Sequence, residues 1–233
     1  MSRFILVPMT LAVTLAVTLA VTVAGCNRFP DLSIQVVANL QPSEDCTIDA
    51  NQEEVQFRGR YDLNVVRDYF VTPLIESYLV SNATEIQGET QNIQINTMEI
   101  TIVLPDGSVP ALAEELPNPF TVTTSATIPA NEASGGVSQG AAAAIAIPAS
   151  YHSALLAIVA DTGFNSIQLD IRANGTTSGG FSQQSAPFRW PVEFCQGCLG
   201  IECEEPAKLG DSEDCFPGQD GDQYCAVIVP ATP

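Results

Sequence analysis

The residues of this sequence best suited to chemistry are its cysteines, of which there are seven. Three of them fall in the stretch FCQGCLGIEC, where Cys195 and Cys198 have the Cys-x-x-Cys spacing found in metal sites and in redox sites. A zinc site would need a second such pair or two histidines, whereas the single histidine, His152, is distant in sequence. Acidic neighbours disfavour a reactive thiolate, and therefore a thioredoxin-like role. We expect disulfides here instead.

The N-terminus accounts for the odd cysteine. Arg3 precedes an uncharged apolar run, which ends in Val23-Ala24-Gly25-Cys26. This order of charge, apolar run and small residues is typical of a signal peptide. The run is also long enough, at about 20 residues, to span a bilayer, so an uncleaved anchor is the alternative.

Residues Val23–Cys26 resemble the lipobox of bacterial lipoproteins. The resemblance is confined to residues 1–26. It implies a signal peptide over residues 1–25, diacylglycerol on the Cys26 thiol and an acyl chain on its amine. In the enterobacterial version of the family rule, Asp at the next position retains the protein in the inner membrane. Because Asn27 stands there, we expect a membrane partner through the lipid and an outer-membrane location.

Six cysteines remain after Cys26. Export places them in an oxidising compartment, where six cysteines predict three disulfides. Since five of the six are clustered near the C-terminus, Cys46 must pair with one of the five if all are oxidised. Fifteen connectivities are possible, and the sequence does not choose among them. The predicted disulfide cysteines are Cys46, Cys195, Cys198, Cys203, Cys215 and Cys225.

Composition excludes some partners. Lys and Arg total 8 against 27 Asp and Glu, which gives a net charge of −19. Nucleic acid is excluded as a partner because its binding needs clustered basic residues. The stretch FPGQDGDQYC suggests calcium, with Asp214, Asp220 and Asp222 as weak candidates. The register of a calcium loop fails, however, since no glutamate follows at the twelfth position. We expect a solvated acidic turn, with neither metal nor cofactor.

No catalytic constellation stands out in the sequence. His152 and Ser153 are adjacent, which points their side chains in different directions. We therefore expect His152 to be a surface histidine and the protein not to be an enzyme. A glycan hydrolase using two of the many carboxylates is the alternative, together with a calcium-dependent adhesion module.

Alternating apolar residues predict the elements that position these groups. One strand is expected over residues 55–66 and another over 93–104, with a β-bulge near Thr97 where the alternation slips. Further strands are expected over 119–129, near Ile147, and over 166–172 and 188–194, with a short helix from Ala149. Long alternating strands separated by turns predict an all-β, immunoglobulin-like β-sandwich.

The predicted organisation is thus a signal peptide over residues 1–25, a lipidated tether over 26–44, a β-sandwich over 45–194 and an acidic, disulfide-rich tail over 195–233. The end of the chain, with PVEFCQGCLGIEC and CFPGQDGDQYC, resembles a group of uncharacterised Cys-rich lipoproteins of myxobacteria-like bacteria. That resemblance supports the location and the disulfides. We expect a cell-envelope lipoprotein that acts as a non-enzymatic binding or structural module.

Overall fold

The computed structural model describes residues 33–79, 92–131, 136–204, 207–208, 211 and 214–230. The predicted leader, lipobox and Cys26 lie outside the described residues. Within these ranges the regular secondary structure is mostly β-strand with one short helix, and three disulfides are present. The prediction of an all-β fold with a disulfide-rich end is confirmed, while its immunoglobulin-like character stays a prediction.

The strands are β1 (Ile34–Leu40), β2 (Val55–Gln56), β3 (Gly59–Asp62), β4 (Tyr69–Val71), β5 (Pro73–Ser77), β6 (Ile93–Val103), β7 (Phe120–Ile128), β8 (Ser138–Ala141), β9 (Ala144–Ile147), β10 (Ser166–Thr177), β11 (Ser182–Gln184), β12 (Phe188–Cys195), β13 (Gly200–Glu204) and β14 (Tyr224–Val229). A 3₁₀ turn over Ala149–Tyr151 leads into the helix α1 (His152–Thr162). Both the strand near Ile147 and the short helix were predicted.

The strands form two main sheets and two small ones. One main sheet has the order β2-β1-β5-β8, and the other has the order β3-β12-β10-β6-β7, with β11 paired to β10. Strands β4 and β9 make a two-stranded sheet, and β13 and β14 make another. Pairing is antiparallel except between β3 and β12 and between β13 and β14.

One hydrophobic core joins the two main sheets. Ile34 and Ile75 from the first sheet are fully buried in the same cluster as residues of the second sheet. Alternation in β10 and β12 predicts one apolar face on each strand, and all but one of these residues are buried; the buried ones are Ile167, Leu169, Ile171, Trp190, Val192 and Phe194. Phe188, at the start of β12, is half-buried. Burial of such side chains stabilises the fold by roughly 1.5–3 kcal/mol each.

The predicted β-bulge in β6 is also confirmed. The register of β6 against β7 shifts between Ile95 and Thr97, and its register against β10 shifts at the same place. Against β10 the extra residue is Asn96 in β6, whereas against β7 the extra residue lies in β7. Ile95 and Met98 therefore both face the core although they are three positions apart.

The single strand predicted over residues 55–66 is wrong. Val55 and Gln56 pair with β1 in the first main sheet, whereas Gly59–Asp62 pairs with β12 in the second. Phe57, which the alternation assigned to the buried face, is 84% exposed. Alternation records which face a residue takes within one sheet, so it cannot reveal that the chain changes sheets between Phe57 and Gly59.

The chain changes sheets a second time just before Pro73. Residues Tyr69–Val71 pair with β9, and Pro73–Ser77 pairs with β1 and β8. Strand β5 is therefore central in its sheet and not at an edge. The proline is tolerated because it is the first residue of the strand.

The ends of the domain differ from the predicted boundaries. Strand β1 lies inside the range 26–44 predicted as a tether, and its residue Ile34 belongs to the core of the described part of the chain. A small hydrophobic cluster, separate from the main core, joins two residues beyond Cys195 to Val65; these two are Leu199 and Tyr224. No helix of the described ranges has the length and apolarity needed to cross a bilayer.

Candidate functional site

The first polar cluster surrounds Asp62, at the end of β3. Parallel pairing of β3 with β12 sets Asp62 opposite Cys195. Cys195 is bonded to Cys198, and both sulfurs and an Asp62 oxygen lie within 4.8 Å of one another. Asp62 is fully buried, Cys195 is half-buried and Cys198 is exposed. A buried carboxylate therefore lies directly beside a disulfide that is open to solvent.

Four donors satisfy the Asp62 carboxylate. Its Oδ1 accepts the N–H of Gly197 at 2.7 Å and that of Asn64 at 3.0 Å. Its Oδ2 accepts the N–H of Leu199 at 3.0 Å and the hydroxyl of Tyr224 at 3.3 Å. The turn between the two cysteines depends on Gly197, whose φ of 73° is left-handed. Asp62 thus holds the Cys-x-x-Cys loop from both sides of Cys198.

Asp62, Cys195 and Cys198 form the one group among the described residues that is compact enough to suggest a metal site. Metal binding needs thiolates, however, and these sulfurs are joined in a disulfide. As folded, the group offers a metal a single carboxylate whose oxygens already accept hydrogen bonds.

A second polar network links the C-terminal segment to the core. Trp190 Nε1 donates to the Tyr69 hydroxyl at 3.0 Å, and that hydroxyl donates to Asp220 Oδ1 at 3.0 Å. The N–H of Arg60 donates to the same oxygen at 2.8 Å, and Gln219 Nε2 donates to Asp220 Oδ2 at 3.1 Å. The network holds the half-buried side chain of Asp220 against the core.

Gln219 extends this attachment. Its side chain accepts the N–H of Phe70 at 2.7 Å and donates to the Phe70 carbonyl at 3.1 Å, as a neighbouring strand would. A backbone bridge also pairs Gln219 with Tyr61. The segment around Gln219 is therefore part of the domain and not a solvated appendage.

The weak calcium candidates share one cleft. Asp214, Asp220 and Asp222 all line a cavity of about 330 Å³ next to the turn that holds Cys46. Asp222 Oδ2 accepts the N–H of Phe216 at 2.8 Å, and Asp214 Oδ2 accepts the N–H of Gln223 at 2.6 Å. The expectation of a solvated acidic turn is wrong for Asp220, because its carboxylate is held by Tyr69, Arg60 and Gln219.

Burial raises the pKa of Asp220 from 3.8 to about 6, although its hydrogen bonds oppose the shift. The folded state therefore binds more protons than the unfolded state between these values, so the contribution of Asp220 to stability falls as the pH rises. We expect the free energy of unfolding to lose up to about 3 kcal/mol from this group between about pH 4 and pH 7. Urea unfolding of the wild type and of Asp220→Asn across this range measures the difference.

Asp106→Asn is the matched control for that experiment, because Asp106 is exposed and its pKa is lowered by hydrogen bonds from Ser108. The difference in free energy of unfolding between Asp106→Asn and the wild type should change with pH only in the acid range, near the ordinary aspartate pKa. Because the pKa of Asp106 is lowered, this change should have the opposite sign. Parallel profiles for the wild type and Asp220→Asn between pH 4 and pH 7 would contradict the expectation.

His152 is not a surface histidine, contrary to the sequence prediction. It is the first residue of α1, it is 8% exposed, and its Nε2 lies 2.9 Å from the Leu63 carbonyl oxygen. Its ring meets that of Tyr61 edge to face. The adjacency of His152 and Ser153 could not show this burial, because it depends on where the helix packs against β3.

All six predicted disulfide cysteines are paired. The bridges are Cys46–Cys215, Cys195–Cys198 and Cys203–Cys225. The inference that Cys46 pairs with one of the C-terminal five is confirmed, and its partner is Cys215. Reasoning from the sequence did not single out Asp62 as a site residue. Its only signal was a charged residue in an otherwise alternating strand.

No family model matches the chain, and no curated protein matches it.

Proposed function

We propose that the protein is a cell-envelope lipoprotein, held at the outer membrane through lipidated Cys26, and that its immunoglobulin-like domain acts as a non-enzymatic binding or structural module. The pairing of all six later cysteines in three disulfides carries the proposal. Disulfides of this number persist in exported proteins. The one remaining cysteine is the one at the lipobox position.

The non-enzymatic part rests on how the polar groups are used. The carboxylate of Asp62 accepts four hydrogen bonds from its own domain, and that of Asp220 accepts three. Across the described residues, no buried side-chain nitrogen or oxygen lacks a partner. A catalytic group needs hydrogen-bonding capacity directed at a substrate. Here the capacity of both carboxylates, one buried and one half-buried, is directed at the fold.

Anchoring is tested by labelling the full chain with a fatty-acid analogue in a bacterial host. We expect the wild type to be labelled and to partition with membranes after high-salt washing, because its acyl chains contribute about 0.8 kcal/mol per buried methylene. Cys26→Ser should lose the label completely and keep its leader, which intact mass detects.

Asn27→Asp is the matched control, since it changes the neighbouring residue and preserves the cysteine. It should be labelled as strongly as the wild type. Equal labelling of Cys26→Ser and the wild type would refute lipidation at Cys26. A wild type with a retained leader and no label would support the uncleaved anchor instead.

A further inference from the structure

The three disulfides differ in what they do for the fold. Cys46–Cys215 and Cys203–Cys225 span 169 and 22 residues, whereas Cys195–Cys198 spans three. Closing so short a loop restricts the unfolded chain least. The loop that it closes is already held by Asp62 through the N–H groups of Gly197 and Leu199. Of the three disulfides, Cys195–Cys198 is therefore the one on which the fold depends least.

The same loop is arranged for attack from outside. Cys198 is exposed, whereas Cys195 is half-buried beside Asp62. Cys46 is also exposed, so accessibility alone does not distinguish Cys195–Cys198 from Cys46–Cys215. The difference is that Cys195 and Cys198 stay close when their bond opens, because the hydrogen bonds to Asp62 do not involve the sulfurs. Two thiols kept in proximity can re-form their disulfide readily.

We propose that Cys195–Cys198 is a thiol-exchange site that accepts two electrons from a protein dithiol. A thiolate of the dithiol attacks Cys198 Sγ, the bond to Cys195 breaks, and Cys195 leaves as a thiolate that takes a proton from water, which the adjacent Asp62 carboxylate favours. The attacking thiolate belongs to the partner, so acidic surroundings that disfavour a reactive thiolate in this chain do not prevent this direction of transfer. The second thiolate of the partner then attacks the partner's own sulfur in the mixed disulfide. Cys198 is released and takes a proton in turn. The partner leaves as a disulfide and the pair remains as a dithiol.

The reverse sequence, with an oxidised partner or oxidised glutathione, restores the Cys195–Cys198 bond. Asp62 acts as a positioning residue in both directions, because it orients the loop and forms no bond to the reacting atoms. The activity goes beyond the proposed anchored module. It is tested independently of Cys26, so its failure would leave that proposal in place.

The first test equilibrates the folded full chain with glutathione buffers of graded ratio, followed by alkylation and mass mapping of each cysteine. The relevant quantity is the squared concentration of reduced glutathione divided by the concentration of oxidised glutathione. We expect the value at which Cys195–Cys198 is half reduced to be at least 10-fold lower than the value at which either other bridge is half reduced. The near-UV circular dichroism should be unchanged at that point. Opening of this bridge together with the others, or with loss of the near-UV signal, would overturn the proposal.

Single cysteine variants test the direction of attack. Cys195→Ser leaves the exposed Cys198 thiol, and we expect it to form a mixed disulfide with oxidised glutathione at least 10-fold faster than Cys198→Ser, which leaves Cys195. Equal rates would refute Cys198 as the attacked sulfur. Asp62→Asn should slow closure of the reduced pair about 10-fold and leave closure of Cys46–Cys215 unchanged. Equal slowing of both would show a general loss of folding and contradict the positioning role.

Discussion

Replacing Cys46 and Cys215 together by serine is expected to lower the free energy of unfolding by about 4–5 kcal/mol. The bridge closes a loop of 169 residues, so it removes more conformational freedom from the unfolded chain than either other disulfide. It also ties the turn after β1 to the segment that carries Gln219 and Asp220. Without it, that segment keeps its hydrogen bonds to the core but loses its covalent support.

Denaturant unfolding of the double variant measures the loss, and the other two bridges supply the comparison. Chain entropy predicts the order Cys46–Cys215, then Cys203–Cys225 at about 3 kcal/mol, then Cys195–Cys198 at about 2 kcal/mol. The prediction fails if removing Cys46–Cys215 costs no more than removing Cys195–Cys198. That outcome would mean that residual structure already restricts the unfolded chain.

Gly59→Ala is expected to cost about 3–4 kcal/mol, at the upper end of overpacking effects. A Cβ at this position would overlap the Tyr69 hydroxyl and would lie 2.9 Å from Trp190 Nε1. Both Tyr69 and Trp190 are fully buried and joined by a hydrogen bond, so neither can move aside without breaking the network to Asp220. Glycine is required here by a close approach of side chains to the backbone.

A double-mutant cycle separates this clash from a general loss of stability. Tyr69→Phe removes the hydroxyl and should cost about 1–2 kcal/mol through its lost hydrogen bonds. If the clash is with the hydroxyl, Gly59→Ala with Tyr69→Phe should cost less than the sum of the single changes by at least about 1 kcal/mol. Additive losses would place the clash elsewhere. Gly136→Ala is the control, because a Cβ at this position has open space around it. Gly107→Ala would not serve, because the φ of 86° at Gly107 is unfavourable for alanine.

Local patterns predicted the elements that stay within one sheet. Strands β10 and β12 were identified with their buried faces, and the bulge in β6 followed from a slip in alternation at one place. The predicted strand that failed is the one in which the chain changes sheets, at residues 57–58. Such a change leaves little local trace, because β2 is only two residues long and both of its side chains are half-buried, so no alternation marks where the chain leaves that sheet.

The candidate sites depended on longer-range information. The calcium candidates were chosen for being acidic and close in sequence, yet Asp220 is held by groups from β3 and β4. The sequence did not mark Asp62 as a site residue. Its place beside the Cys195–Cys198 loop comes from the parallel pairing of β3 with β12, which lies more than a hundred residues later in the chain. The sequence predicted that His152 is at the surface. Its burial depends on contact between its Nε2 and the Leu63 carbonyl oxygen, and Leu63 is distant from it in sequence.

The sequence by itself determined which residues are apolar at period two, that the chain is all-β, and that Cys46 needs a partner among five distant cysteines. These are properties of composition, parity and local geometry. Only the tertiary structure decided that the partner is Cys215, that Asp62 lies beneath the Cys195–Cys198 loop, and that Asp220 is held against Tyr69. The reason is physical: disulfide partners and buried charges are set by which strands pair and pack, and those contacts join residues far apart in the chain.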